Sequence, residues 1–475
     1  MRAETATARP ARAAFSRRAT RSDERRSGLS PTAVRLFFFV GYYALHVVFV
    51  SEAFTIAVTL PIFLICCFNV ARIGEDRATV QDMIWLCIYM FLVISTCQSL
   101  FNGYFESEGL MEGVRFETAD ILKATLIVVV FLLVATATSI WVGNVGVKTL
   151  TSYELRDSSF VVLLLGNIAS FGLFIVSVGG LANALADRLS KEEFYAPVAT
   201  GFLAAQLVTC FLGAAYVRAR PFRFWTAAGF ALMVLLQLVS QNPFNTARFF
   251  LLIAWLPIIL IYLKGRFSVT FFYMSALFGL IVMMPLLNFT GRHGETVKQA
   301  LENVELPKFL FKIPYIDLLN LMVYAVQELE HIPYYYGAKT LSLLLFLVPR
   351  DIWPGKEILL GIELGNRLVD AGLAGTENLS MFFAADFYAD LGMAGVILGA
   401  FVVSLLLTLY GQNRVVLIDG MDLPGFALMA CAPILIRGPI GAVIALPFLV
   451  LVALWVARVV LCTRVATDAH MKSAT

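Results

Sequence analysis

The chain has 475 residues, of which 59% are hydrophobic and 15% charged, with a formal net charge of +3. A soluble domain carries about 25% charged residues, and a soluble chain of this length divides into several domains. Long apolar stretches instead recur along nearly the whole sequence, each close to the ~20 residues that cross a bilayer core as a helix. This excludes a soluble globular enzyme and predicts an all-α polytopic membrane protein.

Residues 1–33 are of another kind, with eight arginines and three acids among Ala, Ser and Thr. That composition cannot bury a core, so a disordered basic tail is expected. It reads as a cytoplasmic tail that touches anionic lipid rather than as an Arg-rich import signal, because the charges of later loops agree with it. Twelve spans follow, at 34–50, 53–71, 82–101, 121–142, 159–182, 197–217, 224–241, 249–263, 267–289, 391–410, 424–437 and 439–457. With the tail inside, Arg72, Arg77, the "RARPFR" run with Arg218, Arg220 and Arg223, Lys264, Arg266, Arg458, Arg464 and Lys472 all fall inside. The loop 102–120, with five acids and one arginine, falls outside. Basic residues favour the cytoplasmic side, so both termini are expected there. The expected organisation is a tail over 1–33, spans one to nine over 34–289, a large outward loop over 290–390, spans ten to twelve over 391–457, and a second cytoplasmic tail over 458–475.

The seven cysteines, at 66, 67, 87, 97, 210, 431 and 462, lie in or beside the spans, so no disulfide is expected in the large loop. No CxxC, Cys/His cluster, Walker A motif, dinucleotide fingerprint or HExxH occurs, and the reading carries no metal, no cofactor and no nucleic acid. The large loop holds eight Lys or Arg and two histidines, His293 and His331. Long loops escape the positive-inside bias, so length alone is one explanation for its basic character. Its run "YYYGAKTLSLLLFLVPR" is apolar but too short to span, which points to a re-entrant or interfacial helix.

Three stretches carry candidate chemistry. "SQNPFNTARFF" (240–250) puts Asn242, Pro243 and Arg248 in a short outer turn, where a basic residue runs against the bias. The alternative for Arg248 is a helix end whose side chain snorkels to the headgroups. "FLVPRDIWPGKE" (346–357) packs Pro349, Arg350, Trp353, Pro354 and Lys356 into one run. Two prolines there predict a non-helical turn. "NLSMFFAADFYADLGMAGVILGAF" (378–401) places Asp386 and Asp390 four apart, on one helix face at the mouth of span ten. Acids also simply favour a helix N-terminus. Gly395 and Gly399 form a small-xxx-small pair suited to close helix packing.

In this order and on this hydropathy, "NPFNTAR", "VPRDIWPGKE" and "DFYADLGMAGVILG" resemble the Wzy-type polymerases of O-antigen and other oligosaccharide repeat units. The motifs cover roughly residues 230–405. The chain departs from the pattern with Glu357 where proline is common, Asp386 where glutamate is common, and Leu391 before Gly392. The resemblance implies a membrane glycosyltransferase of GT-C-like architecture. It would move a growing glycan from undecaprenyl pyrophosphate onto a new lipid-linked unit at the periplasmic face of the inner membrane, making O-antigen, capsule or exopolysaccharide. Its partners would be the lipid-linked oligosaccharides, the bilayer and a chain-length regulator.

A lipid pyrophosphate leaving group calls for fixed positive charge, which arginine supplies with a planar two-pronged donor. Arg248 and Arg350 are the candidates, supported by Lys356, Arg292 and Arg437. An acceptor hydroxyl needs a base, for which Asp386 comes first, then Asp390, Glu377 and His331. Asn242 belongs to the same outer turn as Arg248, and Trp353, Tyr388 and the tyrosines at 334–336 are candidates for stacking on sugar rings or for anchoring in the interface. An O-antigen ligase and a flippase or other transporter of lipid-linked sugars are the competing functions. A transporter tends to carry ionisable groups inside its spans.

Overall fold

The computed structural model describes residues 29–50, 52–101, 116–145, 149–186, 197–243, 246, 248–263, 267–279, 282, 318–373, 379–411, 414–438 and 443–465. Most of the tail 1–33 and the loop 102–115 lie outside the described residues, as do Lys264, Arg266, Arg292, His293, Glu377 and Lys472.

The described chain is mostly helical. In order, the helices are α1 (Pro31–Val50), α2 (Ala53–Ala71), α3 (Val80–Ile88), α4 (Ser95–Phe101), α5 (Thr118–Val145), α6 (Ser159–Ser177), α7 (Leu181–Leu185), α8 (Pro197–Ala219), α9 (Phe224–Ser240), α10 (Arg248–Tyr262) and α11 (Val269–Phe278). After them come α12 (Leu318–Leu329), α13 (Ala338–Leu344), α14 (Leu360–Asp370), α15 (Ala384–Gly411), α16 (Leu423–Arg437) and α17 (Ala445–Leu461). A π-helical stretch, Tyr89–Ile94, joins α3 to α4, so the three pieces form one continuous rod with every π-helical side chain buried. Among the described residues seven helices are long and apolar enough to cross a membrane, which makes the protein a membrane-embedded helical bundle. Among the described residues six further apolar helices run 10–17 residues: α9, α10, α11, α16 and α17 overlap the other expected spans, and α12 falls in the expected outward loop.

The expectation of an all-α chain needs one correction. Thr149–Leu155 (β1), Arg414–Ile418 (β2) and Cys462–Val465 (β3) form a small sheet in the order β2-β1-β3. β1 runs parallel to β2, with Thr149 opposite Arg414, and antiparallel to β3, with Tyr153 opposite Arg464. The strands come from three loops, and β1 is hundreds of residues before both of its partners. β1, "TLTSYEL", places the β-branched and aromatic residues Thr149, Thr151 and Tyr153 at alternate positions, which suits a half-exposed strand.

That sheet marks one end of the bundle. Arg220, in the turn between α8 and α9, pairs with Asp157 and with Asp419 (3.0 Å) and donates to the Leu155 carbonyl, tying its turn to the sheet. On the same side, Arg77 bridges to Ser268, and Arg35 binds the 73–77 loop. The loops that carry most of the described arginines therefore meet at one basic end.

The opposite end gathers different residues. Lys123 at the start of α5 pairs with Glu330 after α12 (2.7 Å). The Phe346 ring meets Phe448 near the start of α17 at 5.2 Å, edge to face. The guanidinium of Arg437, at the end of α16, lies 5.6 Å from the Phe249 ring centre at the start of α10. Residues 318–373 thus pack as short helices on the end of the bundle away from the sheet.

Candidate functional site at the helix-bundle end

The site begins with a backbone break. Within α15, Leu391 and Gly392 leave helical geometry, and Gly392 adopts φ 61° and ψ −144°, a conformation open to glycine and strained for other residues. The segment 384–390 therefore folds back on the long helix that follows. Its Phe387 lies against Gly395 and Gly399, where any side chain would collide with it. The small-xxx-small pair thus receives the preceding turn of the same chain. Tyr334 covers Gly392 from the other side, its hydroxyl 3.0 Å from where a Cβ would stand.

The fold-back buries both aspartates and turns them toward the starts of neighbouring helices. Asp390 accepts from the Lys339 N–H (3.0 Å), the Thr340 N–H (2.6 Å) and the Thr340 hydroxyl. Asp386, 3% exposed, accepts from the Leu360 N–H at 3.0 Å through Oδ1. Its Oδ2 makes no hydrogen bond among the described residues. Helix N-termini leave N–H groups unpaired, and these carboxylates satisfy them where water is scarce. In return, the Tyr335 and Tyr336 N–H groups cap the carbonyls of Ala389 and Asp390. Tyr336 (φ 50°) and Gly337 (φ 92°) make the left-handed turn that this exchange requires.

Between the aspartates and solvent sits a charge pair with no counterpart in the sequence reading. Lys339 is wholly buried. Its ammonium donates to Glu363 at 2.7 Å and to the Ile358 carbonyl at 2.6 Å, and it lies 3.9 Å from the centre of the Tyr335 ring. Glu363 also accepts from the Tyr335 hydroxyl at 2.8 Å and from Arg367 at 3.2 Å, and Arg367 reaches on to Glu328. Burial pushes the Glu363 carboxyl up, but Lys339, the Tyr335 hydroxyl and Arg367 outweigh it, and the group titrates below the ordinary glutamate value. The available signal lay in α14. Leu360, Leu364 and Leu368 recur every four residues as its buried stripe, with Glu363 beside that stripe and Arg367 one turn on.

The proline run forms the expected non-helical turn after α13. Arg350 donates to the Lys356 (2.6 Å) and Glu357 carbonyls, which closes it. Lys356 donates to the carbonyls of Leu345, Phe346 and Val348, each at 3.0 Å, which commits all three of its protons to the end of α13. Burial, with the charge of Arg350 added, lowers the Lys356 pKa. Arg350 is exposed and keeps three of its five N–H donors, since two go to those carbonyls. Trp353 is half-buried in the turn, while Leu344, Leu347 and Ile352 project from it, as suits an interfacial element.

The candidate residues fall into groups. Asp386, Asp390, Lys339 and Glu363 form one connected cluster, with Tyr388 beside it, its ring 6.4 Å from Tyr334. Arg350, Trp353 and Lys356 lie in the adjoining turn, linked through Ile358. Asn242, Arg248 and Arg437 sit at the same end of the bundle around Phe249. His331 is exposed on the turn after α12. Among the described residues, no group of three His, Cys, Asp or Glu side chains is placed to hold a metal ion. Compared with known families, curated proteins and solved structures, the chain matches none.

Proposed function

We propose that the chain is a membrane glycosyltransferase of the Wzy type, polymerising oligosaccharide repeat units carried on undecaprenyl pyrophosphate. In this reading it crosses the bacterial inner membrane twelve times, the sheet-bearing end is cytoplasmic, and the end with residues 318–373 faces the periplasm. The observation that carries the reading is placement. The segments around Arg350 and Asp386 join in one cluster through Lys339 and Ile358, and the Arg248 turn, whose Phe249 meets Arg437, lies at the same end of the apolar bundle.

In the proposed reaction the acceptor sugar hydroxyl attacks the anomeric carbon of the donor glycan. The bond from that carbon to pyrophosphate breaks, and the pyrophosphate leaves on its lipid. Arg248, Arg437 and the uncommitted donors of Arg350 supply positive charge to it, fixed in place before reaction. The hydroxyl proton passes to Asp386, whose Oδ2 is the acceptor left over once Leu360 holds Oδ1. Asp390 has both oxygens engaged and serves as a scaffold. Lys356 builds the turn that presents Arg350. Because Asp386 is buried, the packing over it must open for the acceptor to reach it.

The test is substitution of the arginines. Losing a charge-assisted phosphate contact removes about 2–4 kcal/mol of transition-state stabilisation, a hundredfold or more in rate. Arg248→Ala and Arg350→Ala are each expected to abolish polymer with the protein still in the membrane, and the lysine variants to be partly active. Full-length polymer ladders from both lysine variants would overturn the phosphate role, because a snorkelling anchor tolerates lysine.

A further inference from the structure

The run "RARPFRFW", residues 218–225, leaves the last turn of α8 and enters α9. Its three arginines are not equivalent. Arg220 is committed inside the fold. It pairs with Asp157 and Asp419, donates to the Leu155 carbonyl, and lays its guanidinium 3.9 Å from the centre of the Tyr216 ring. Tyr216 meets Phe160 at 5.1 Å, and Phe160 meets Trp225 at 5.2 Å. One stack therefore runs beneath the turn from Arg220 to the start of α9 and holds the turn at both ends.

The other two arginines face outward. Arg218 and Arg223 are exposed, and neither side chain makes a hydrogen bond or ion pair among the described residues. Arg223 stands at the N-cap of α9 and gives it no side-chain bond. Phe222 and Phe224, on either side of Arg223, are each 80% exposed. Position decides what these rings meet. α8 is long and apolar enough to cross a membrane, and α9 is an apolar helix, so the turn joining them lies where hydrocarbon gives way to headgroups. Five residues separate Arg218 from Arg223, which keeps their backbones within about 18 Å of each other.

At that depth an exposed phenylalanine ring reaches the upper acyl chains, and an unpaired guanidinium beside it reaches phosphate. The run contains no acid, so its two outward arginines present net positive charge. A zwitterionic headgroup offers no net charge to match it, whereas an anionic one does. A soluble polyanion or an acidic protein would meet the arginines but leave Phe222 and Phe224 without an apolar partner. We infer that the α8–α9 turn is a docking surface for anionic phospholipid, with Arg218 and Arg223 on the headgroup phosphate and Phe222 and Phe224 among the acyl chains. The surface is independent of the glycosyltransferase reading and stands or falls without it.

Detergent-purified protein is titrated separately with phosphatidylglycerol and with phosphatidylcholine of the same acyl chains, and bound lipid is counted by native mass spectrometry. The wild type is expected to retain phosphatidylglycerol at a concentration lower by about tenfold or more. Arg218→Gln with Arg223→Gln should lose that preference and bind phosphatidylcholine as before. Arg77→Gln with Arg464→Gln, which removes two exposed arginines elsewhere at the basic end, should keep it. Phe222→Ser with Phe224→Ser should weaken both lipids. Equal binding of the two lipids by the wild type would overturn the surface. An equal loss from both arginine pairs would overturn it as well, because the preference would then belong to diffuse charge. Phosphatidylglycerol binding undiminished in the serine pair, and matched in the wild type by inorganic polyphosphate, would assign the arginines to a soluble polyanion instead. If the glutamine pair does not purify as monodisperse protein, Arg223→Gln alone carries the test, with a several-fold loss of preference expected and an unchanged preference overturning the surface.

Discussion

Two buried cation–carboxylate pairs sit at opposite ends of this bundle, and they are built differently. At the basic end, Arg35 and Asp82 are both fully buried, 2.7 Å apart. Arg35 also donates to the Ile73, Glu75 and Arg77 carbonyls, and Asp82 accepts from Thr79 and from the Tyr273 hydroxyl. Each partner is satisfied on every side, and the pair locks the α2–α3 loop to α1 and α11. At the other end, Lys339 is as deeply buried, but Glu363 is 22% exposed and shares its charge with Tyr335 and Arg367. One pair is a sealed joint. The other opens on one side, next to the aspartates and the arginine turn. The difference teaches that a buried ion pair can be a purely structural joint, and it singles out the open pair because that one borders the aspartates and the arginine turn.

The largest effect should come from breaking the sealed pair. Removing one member of a buried ion pair strands the other and costs about 3–5 kcal/mol. Asp82→Ala is therefore expected to lose most detergent-extractable, monodisperse protein. Arg35→Met with Asp82→Leu should recover much of it, since an apolar pair of similar volume avoids the uncompensated charge.

The open pair should respond more gently and to pH. Lys339→Met leaves Glu363 with Tyr335, Arg367 and water, so a cost of about 1–3 kcal/mol is expected, confined to residues 318–373. The Glu363 pKa is depressed from 4.5 in the fold, so its contribution is present above that value and lost as pH falls through the folded value. Cleavage of 318–373 by an acid-active protease should therefore rise steeply below 4.5 in the wild type and only weakly in Glu363→Gln. The smallest effect belongs to Lys123 and Glu330, which are 38% and 47% exposed. Lys123→Ala should cost no more than about 1 kcal/mol, measured by thermal unfolding, and should fade in high salt.

The helical frame was legible because bilayer thickness imposes a length on apolar runs: Ala53–Ala71 falls where the expected span does. Span ten was expected from residue 391, and the helix there runs Ala384–Gly411 with a bend at Leu391 and Gly392 that the sequence pattern did not announce. The sheet was harder to see, because β1, β2 and β3 are 4–7 residues each and pair only across loops distant in sequence. Asp386 and Asp390 were picked out as neighbours on one face, but their use as acceptors for the starts of α13 and α14 depends on a fold-back that spacing alone does not reveal. Lys339 was overlooked for a related reason. A lysine in an outward loop reads as solvated, and only the packing of α14 buries it.

The central claim is that the end carrying Arg248, Arg350 and Asp386 joins lipid-linked glycans without nucleotide sugar or metal. Purified protein supplied with a defined undecaprenyl-pyrophosphate-linked repeat unit, in the presence of EDTA and without nucleotide sugar, tests it most directly. The account predicts a ladder of products differing by one repeat unit, absent from the Arg248→Ala and Asp386→Ala proteins. A single unextended band from folded wild-type protein, or a ladder that vanishes with EDTA and returns with magnesium, would contradict it.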